Sequence, residues 1–97
     1  MAPTPLVYVV RVSLRDDGTA QKEVLRLPVL AAGRRRVLCR DCGRRVAFDV
    51  LDCFADEAAA RAAADARAGR LAGDLRRAAA DLDGPARLID RVPEDPP

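Results

Sequence analysis

The stretch LVYVVRVSLRDDGTAQKEVLRLPVL, residues 6–30, decides the fold class. Its first part, Leu6–Leu14, has apolar side chains at every second position, which is the alternation of a β-strand. The dipeptide Asp17-Gly18 is typical of a tight hairpin connection, and Lys22–Leu30 resumes a β-like pattern. We therefore expect two antiparallel strands. Because Pro28 has no N–H to donate to a neighbouring strand, we expect the second strand to lie at a sheet edge or to end there.

Two further segments extend this sheet. Arg35–Arg40 predicts a short third strand after the break at Ala31-Ala32-Gly33. Residues 46–54 fit two patterns, since their apolar positions match either a strand or the start of a helix. A helix would run on for about 40 residues without a cap, against a usual length of about 11–12, so the strand is favoured.

The C-terminal part of the chain predicts one long helix. Asp56 is a suitable N-cap, alanine dominates up to Leu82, and Gly84-Pro85 ends the pattern. An apolar stripe at three- and four-residue spacing marks one face. It consists of Ala60, Ala64, Ala68, Leu71, Leu75, Ala78 or Ala79, and Leu82. Arg87–Val92 is a candidate for a last turn. The expected fold is α+β: one domain over residues 1–92, with an antiparallel meander of three or four strands followed by the helix packed across it, and a disordered tail over residues 93–97.

The composition excludes several kinds of chemistry. The chain of 97 residues has no histidine and a single serine, Ser13, which rules out Ser-His triads, Cys-His dyads and histidine metal sites. Since neither paired carboxylates nor a glycine-rich phosphate loop stands out, we expect no enzyme activity. No targeting segment or membrane span is visible, so we expect a soluble, cytoplasmic protein without a small-molecule substrate.

The three cysteines form the most specific motif. The segment Cys39-Arg-Asp-Cys42-Gly-Arg resembles one knuckle of a zinc ribbon, in which a tight turn brings two thiolates to one metal ion. The resemblance implies a zinc site with Cys39, Cys42 and Cys53 as ligands and a fourth ligand from a carboxylate, water or another chain. Two alternatives remain open: a redox dithiol activated by neighbouring arginines, and thiols that only pack as small apolar groups.

An arginine cluster surrounds this motif. Six arginines lie within twelve residues, with one intervening aspartate: Arg34, Arg35, Arg36, Arg40, Arg44 and Arg45. Such a local field suits phosphates, whereas three aromatic residues in the whole chain are too few for base stacking. The first interpretation is a small non-enzymatic protein whose knuckle-like hairpin presents these arginines to nucleic acid. The alternative is an interaction or structural subunit that binds no nucleic acid.

We expect the protein to self-associate through the predicted helix. The chain has 24 Leu, Val, Ile and Phe residues and 19 alanines, so few large apolar side chains are available to build one hydrophobic core. A helix of this length overhangs short strands, so the leucine end, Leu71, Leu75 and Leu82, is predicted to form an interface in a homodimer or with another protein. A second face of small residues includes Gly69 and Gly73, and either packs closely against a neighbour or faces solvent.

Overall fold

A computed structural model describes residues 4–93 of the chain. It contains five strands and one helix: β1 (Leu6–Leu14), β2 (Ala20–Ala32), β3 (Arg36–Asp41), β4 (Arg44–Asp49), β5 (Cys53–Phe54) and α1 (Glu57–Asp83), with a 3-10 turn at Val50–Asp52 before β5. The strands form one antiparallel sheet in the order β4-β3-β2-β1-β5. The predicted α+β fold, an antiparallel sheet followed by one long helix, is confirmed, with one strand more than expected.

The sheet is curled around an apolar core. One cluster joins Val7, Val9, Leu27, Val37 and Cys39, and partly buried side chains from the two edge strands, Phe48 and Cys53, pack against it. In a flat sheet those edge strands would lie about 19 Å apart. The four Cα–Cα steps from Asp49 to Cys53 span at most about 14 Å, so the 3-10 turn connects the two edges only because the sheet curls.

The outer face of the sheet carries the helix. Tyr8, Val10 and Val12 of β1 point away from the curled core, and Val10 packs against Ala60 and Ala64, which are 0% and 3% exposed. Alanines allow the helix to approach the sheet closely. Both faces of β1 are thus covered in its first half, which explains why its inward and outward positions are equally apolar.

Two polar contacts fix the first half of α1. Lys22 Nζ lies 2.7 Å from a carboxylate oxygen of Asp65, and this hydrogen bond and charge hold the pKa of Asp65 below its usual value of 3.8. Arg67 Nη1 lies 2.5 Å from Asp52 Oδ1, and its Nη2 donates to the Leu51 carbonyl oxygen. These contacts tie α1 to β2 and to the 3-10 turn.

Two sequence-based expectations were wrong. β2 does not end at Pro28 or lie at an edge, because it continues to Ala32 between β1 and β3. Pro28 is tolerated there because it pairs with the first residue of β1. It also precedes an irregularity between Val29 and Ala31, where the hydrogen-bond ladder to β3 is already interrupted. Arg87–Val92 forms no helical turn. The overhang that the length of the helix predicts is present: α1 packs on the sheet mainly through its first half, reaches the β1–β2 hairpin with Leu71 and Leu75, and then projects to Asp83. The predicted tail, residues 93–97, lies outside the described residues except for Pro93.

Candidate nucleic-acid interface

The arginine cluster lies on a two-stranded ribbon. β3 and β4 are joined by a two-residue turn at Cys42-Gly43, with Asp41 paired to Arg44 on either side. Both turn residues have positive φ, 51° and 81°, as a type I′ turn requires. This turn matches the natural twist of antiparallel strands, so the ribbon projects its tip as a compact hairpin.

The strand register places the predicted arginines at defined positions. Val37 and Cys39 point into the curled core, so alternation directs Arg36 and Arg40 to the outer face. Arg45 is the direct partner of Arg40 on β4, which sets two arginines side by side near the hairpin tip. Arg34 and Arg35 precede β3 at the opposite end, and Arg44 follows the turn.

All six predicted arginines are exposed, and within residues 4–93 none has a carboxylate oxygen within 4.0 Å. The arginines that do form ion pairs, Arg61, Arg67 and Arg77, all belong to α1. Asp49, across from Arg36, accepts a hydrogen bond from the Leu51 N–H at 2.8 Å instead. The outer side of the ribbon therefore carries a net positive charge, which Asp49 reduces beside Arg36.

A seventh arginine extends this surface. Leu25, Leu27 and Val29 of β2 belong to the curled core, so Arg26 points to the outer face. The pairing of Val29 with Cys39 places Arg26 toward the hairpin tip, and its side chain is exposed. Arg26 was not predicted because it lies far from the cluster along the chain; the alternation of β2 was the signal that could have identified it.

The aromatic side chains take no part in this surface. Tyr8 and Phe54 pack beneath α1, and Phe48 packs into the curled core. The arginines are therefore not interleaved with exposed aromatic rings. This arrangement can hold phosphate groups along a backbone but offers no platform for stacking bases.

The cysteines occupy three different environments. Cys39 is fully buried in the curled core, Cys42 is exposed at the hairpin tip, and Cys53 is half-buried on β5. Burial raises the pKa of the Cys39 thiol. Burial also raises the pKa of Cys53, with smaller effects from the nearby Cys39, Asp52 and Asp49. Cys39 and Cys53 thus lie near each other inside the curl, while Cys42 belongs to the outer surface.

The predicted zinc site combines residues that the structure separates into these environments. Within the described part of the chain, no three Cys, Asp or Glu side chains are grouped closely enough to hold a metal ion. The Cys42-Gly43 turn has the geometry of a two-residue β-hairpin. Zinc binding by the three cysteines stays a prediction.

The leucines of the predicted interface lie along α1. Leu71 is half-buried, whereas Leu75 and Leu82 are 40% and 84% exposed.

A second feature of α1 is a charged depression of about 230 Å³ against β2, lined by Lys22, Glu23, Arg61 and Asp65 among others. Its charged side chains include the Lys22–Asp65 ion pair, which holds α1 against β2. We therefore assign this depression a structural role and not a binding role.

No protein-family model, curated protein or solved structure matches the chain. Among the described residues, the structure contains no helix that is both long and apolar enough to cross a membrane.

Proposed function

We propose that the protein is a small, non-enzymatic, cytoplasmic nucleic-acid-binding protein that contacts the phosphate backbone through the outer face of the β3–β4 ribbon. The observation that carries the proposal is the pairing of Arg40 with Arg45 on adjacent strands. Like charges directly opposite each other destabilise a sheet. A bound phosphate between the two guanidinium groups offsets that repulsion, so the pair is better suited to the complex than to the free protein.

The extent of the surface supports a polyanion rather than a single anion. Arg36 and Arg40 are separated by four residues of β3, about 13 Å. Arg26, Arg45 and Arg44 continue the positive charge toward and around the tip. Several phosphates of one strand can be contacted over this length. Since the ribbon exposes no aromatic ring, binding is expected to depend weakly on base sequence.

The proposal is tested by fluorescence anisotropy with labelled single-stranded RNA, single-stranded DNA and duplex DNA over a series of salt concentrations. We expect binding that weakens steeply with salt, because neutralised phosphates release counterions. The double variant Arg40→Gln/Arg45→Gln should bind more weakly. On duplex DNA it should lower the slope of log K against log salt by about 0.9 for each phosphate that the variant no longer neutralises.

The matched control is Arg70→Gln/Arg76→Gln, which removes the same charge from exposed positions on α1. It should retain most of the affinity. Equal decreases in affinity in both double variants would show that net charge alone governs binding, and would contradict a site on the ribbon. Absence of binding at low ionic strength would remove the nucleic-acid function and favour an interaction subunit.

A further inference from the structure

The second half of α1 leaves the sheet without a partner. Contacts with the sheet centre on Ala60 and Ala64, and α1 then continues to Asp83, about 28 Å beyond Ala64. Along this projecting half the apolar side chains become steadily more exposed, from half-buried Leu71 to Leu75 at 40% and Leu82 at 84%. The segment after it also exposes Leu88 at 93%.

The apolar positions of the projecting half follow the spacing of a helix-packing seam. Ala68, Leu71, Leu75, Ala78 and Leu82 are separated by three, four, three and four residues. This alternation is the a/d pattern by which one helix packs along another. We call these five residues the seam.

An apolar groove lies where the seam leaves the sheet. It has a volume of about 160 Å³ and lies between α1 and the β1–β2 hairpin. Val12 and Ala20 line it on the hairpin side, and Leu71, Ala72 and Leu75 line it on the helix side. The groove has room for an apolar side chain entering from outside the described structure.

The surface area of the chain is too large for a compact monomer. A monomeric protein of 10.5 kDa exposes about 5,400 Å². This chain exposes 8220 Å². Its radius of gyration, 20.7 Å, likewise exceeds the roughly 12.5 Å of a compact domain of this length. The projecting half of α1 and the exposed residues 84–93 share this excess, which as a whole is larger than the approximately 800 Å² that each partner buries in a stable complex.

We propose that a second copy of the chain covers the seam, with the two α1 helices antiparallel. In one alignment, Leu71 lies opposite Leu82 of the second copy and Leu75 lies opposite Ala78 of the second copy. The same two pairs then recur by symmetry, as a two-fold interface requires. Leucine meets alanine at the centre, and Leu82 of the second copy enters the groove beside Leu71.

The two flanks of the seam differ in size and charge. Ala72 and Ala79 line one flank, so the helices can approach closely there. Asp74 and Asp81 line the other flank, where the antiparallel alignment brings Asp74 near Asp81 of the second copy; the ion pair between Arg77 and Asp74 reduces this repulsion. Leu71 and Leu82 are about 16 Å apart along one helix, so they can be in contact only across two copies.

The first test is sedimentation equilibrium of the full-length protein over a wide concentration range. Wild type should be a dimer that dissociates on dilution. Leu82→Asp should weaken dimerisation at least tenfold, and because Leu82 is 84% exposed, the variant should keep the wild-type circular dichroism spectrum. Ala80→Asp is the matched control: it introduces the same charge two residues away, outside the seam, and should leave the dimer intact.

The alignment is tested by disulfide trapping in a Cys42→Asn background. A mixture of the Leu71→Cys and Leu82→Cys proteins should form the mixed disulfide, identified by mass spectrometry, while neither protein alone should form a covalent dimer through its new thiol. Efficient 71–71 and 82–82 disulfides would indicate parallel helices and overturn the alignment. A monomer at all concentrations would overturn the proposal, whether its seam is covered by the segment after Gly84 or by another protein.

Discussion

At the scale of single residues, Cys42 carries an unusual backbone conformation. Its φ of 51° is in the left-handed region, which costs most L-residues roughly 1–2 kcal/mol. Asparagine tolerates this region well, and Asn-Gly is the preferred pair for a type I′ turn. The Cys42-Gly43 pair is therefore a suboptimal turn that the flanking strands hold in place.

We expect Cys42→Asn to raise the free energy of unfolding slightly and Cys42→Val to lower it by about 1–2 kcal/mol, since a β-branched residue is strained at positive φ. Urea denaturation of both variants measures the difference. Leu51→Val, at another exposed position with ordinary geometry, is the control and should change little. A Cys42→Val variant as stable as wild type would show that the turn does not constrain this residue.

The three thiols should differ in reactivity. We expect iodoacetamide to alkylate Cys42 first, Cys53 more slowly and Cys39 last, because burial restricts access and raises the pKa of the latter two. Mass spectrometry after short reaction times gives the order. Protection of Cys42 that a chelator removes would instead support the predicted zinc site.

The raised pKa values also predict a pH dependence. Below the ordinary thiol pKa of 9.0, both thiols are neutral in the folded and unfolded states, and their full contribution to stability is present. As the pH rises through 9 and beyond, the unfolded state ionises more readily, so stability falls. Cys39→Ala should show a smaller decrease between pH 8 and 10 than wild type does.

At the scale of elements, α1 has a well-formed N-cap and contains two glycines, Gly69 and Gly73, in its interior. Asp56 caps its first turn by accepting a hydrogen bond from the Ala59 N–H at 3.2 Å. A Cβ on Gly69 would meet no atom within 4 Å, and one on Gly73 would meet only an Arg77 nitrogen at 3.9 Å. Within one copy, then, neither glycine permits a close approach that alanine would block.

Gly69→Ala and Gly73→Ala should each stabilise the protein by up to about 1 kcal/mol, the difference in helix propensity. Thermal unfolding at one fixed protein concentration measures the gain. Both positions lie outside the seam, so the dimer affinity should stay unchanged. A decrease in stability in either variant would reveal a neighbour packed against the glycine face.

The elements themselves were mostly predictable. The bounds of β1 and the helix cap at Asp56 followed from alternation and cap chemistry, both local signals. The strand predicted over residues 46–54 is divided by the 3-10 turn into β4 and β5. This division was not predicted because two residues show no period, and the pairing of β5 with β1 depends on the curl of the whole sheet. The prediction that β2 ends at Pro28 was wrong because the rule that proline cannot donate a ladder hydrogen bond takes no account of where the neighbouring strand begins.

At the scale of the whole molecule, the sequence indicated which residues carry charge but not how they share a surface. The run from Arg34 to Arg45 was visible in the sequence, whereas the opposition of Arg40 and Arg45 and the addition of Arg26 depend on register. The cysteine spacing suggested a single cluster. The inward direction of Cys39 and the tip position of Cys42 arise instead from strand alternation, which spacing alone does not encode.

The short strand β5 has a consequence for the order of folding. The pairings β1–β2, β2–β3 and β3–β4 join neighbours in the chain, and each can form as an independent hairpin. Pairing β5 with β1 brings Val9 to Cys53 and closes a loop of more than 40 residues, which costs more chain entropy. We therefore expect the meander to form early and the curl to close late, with α1 docking onto Val10 only after Phe54 has reached β1.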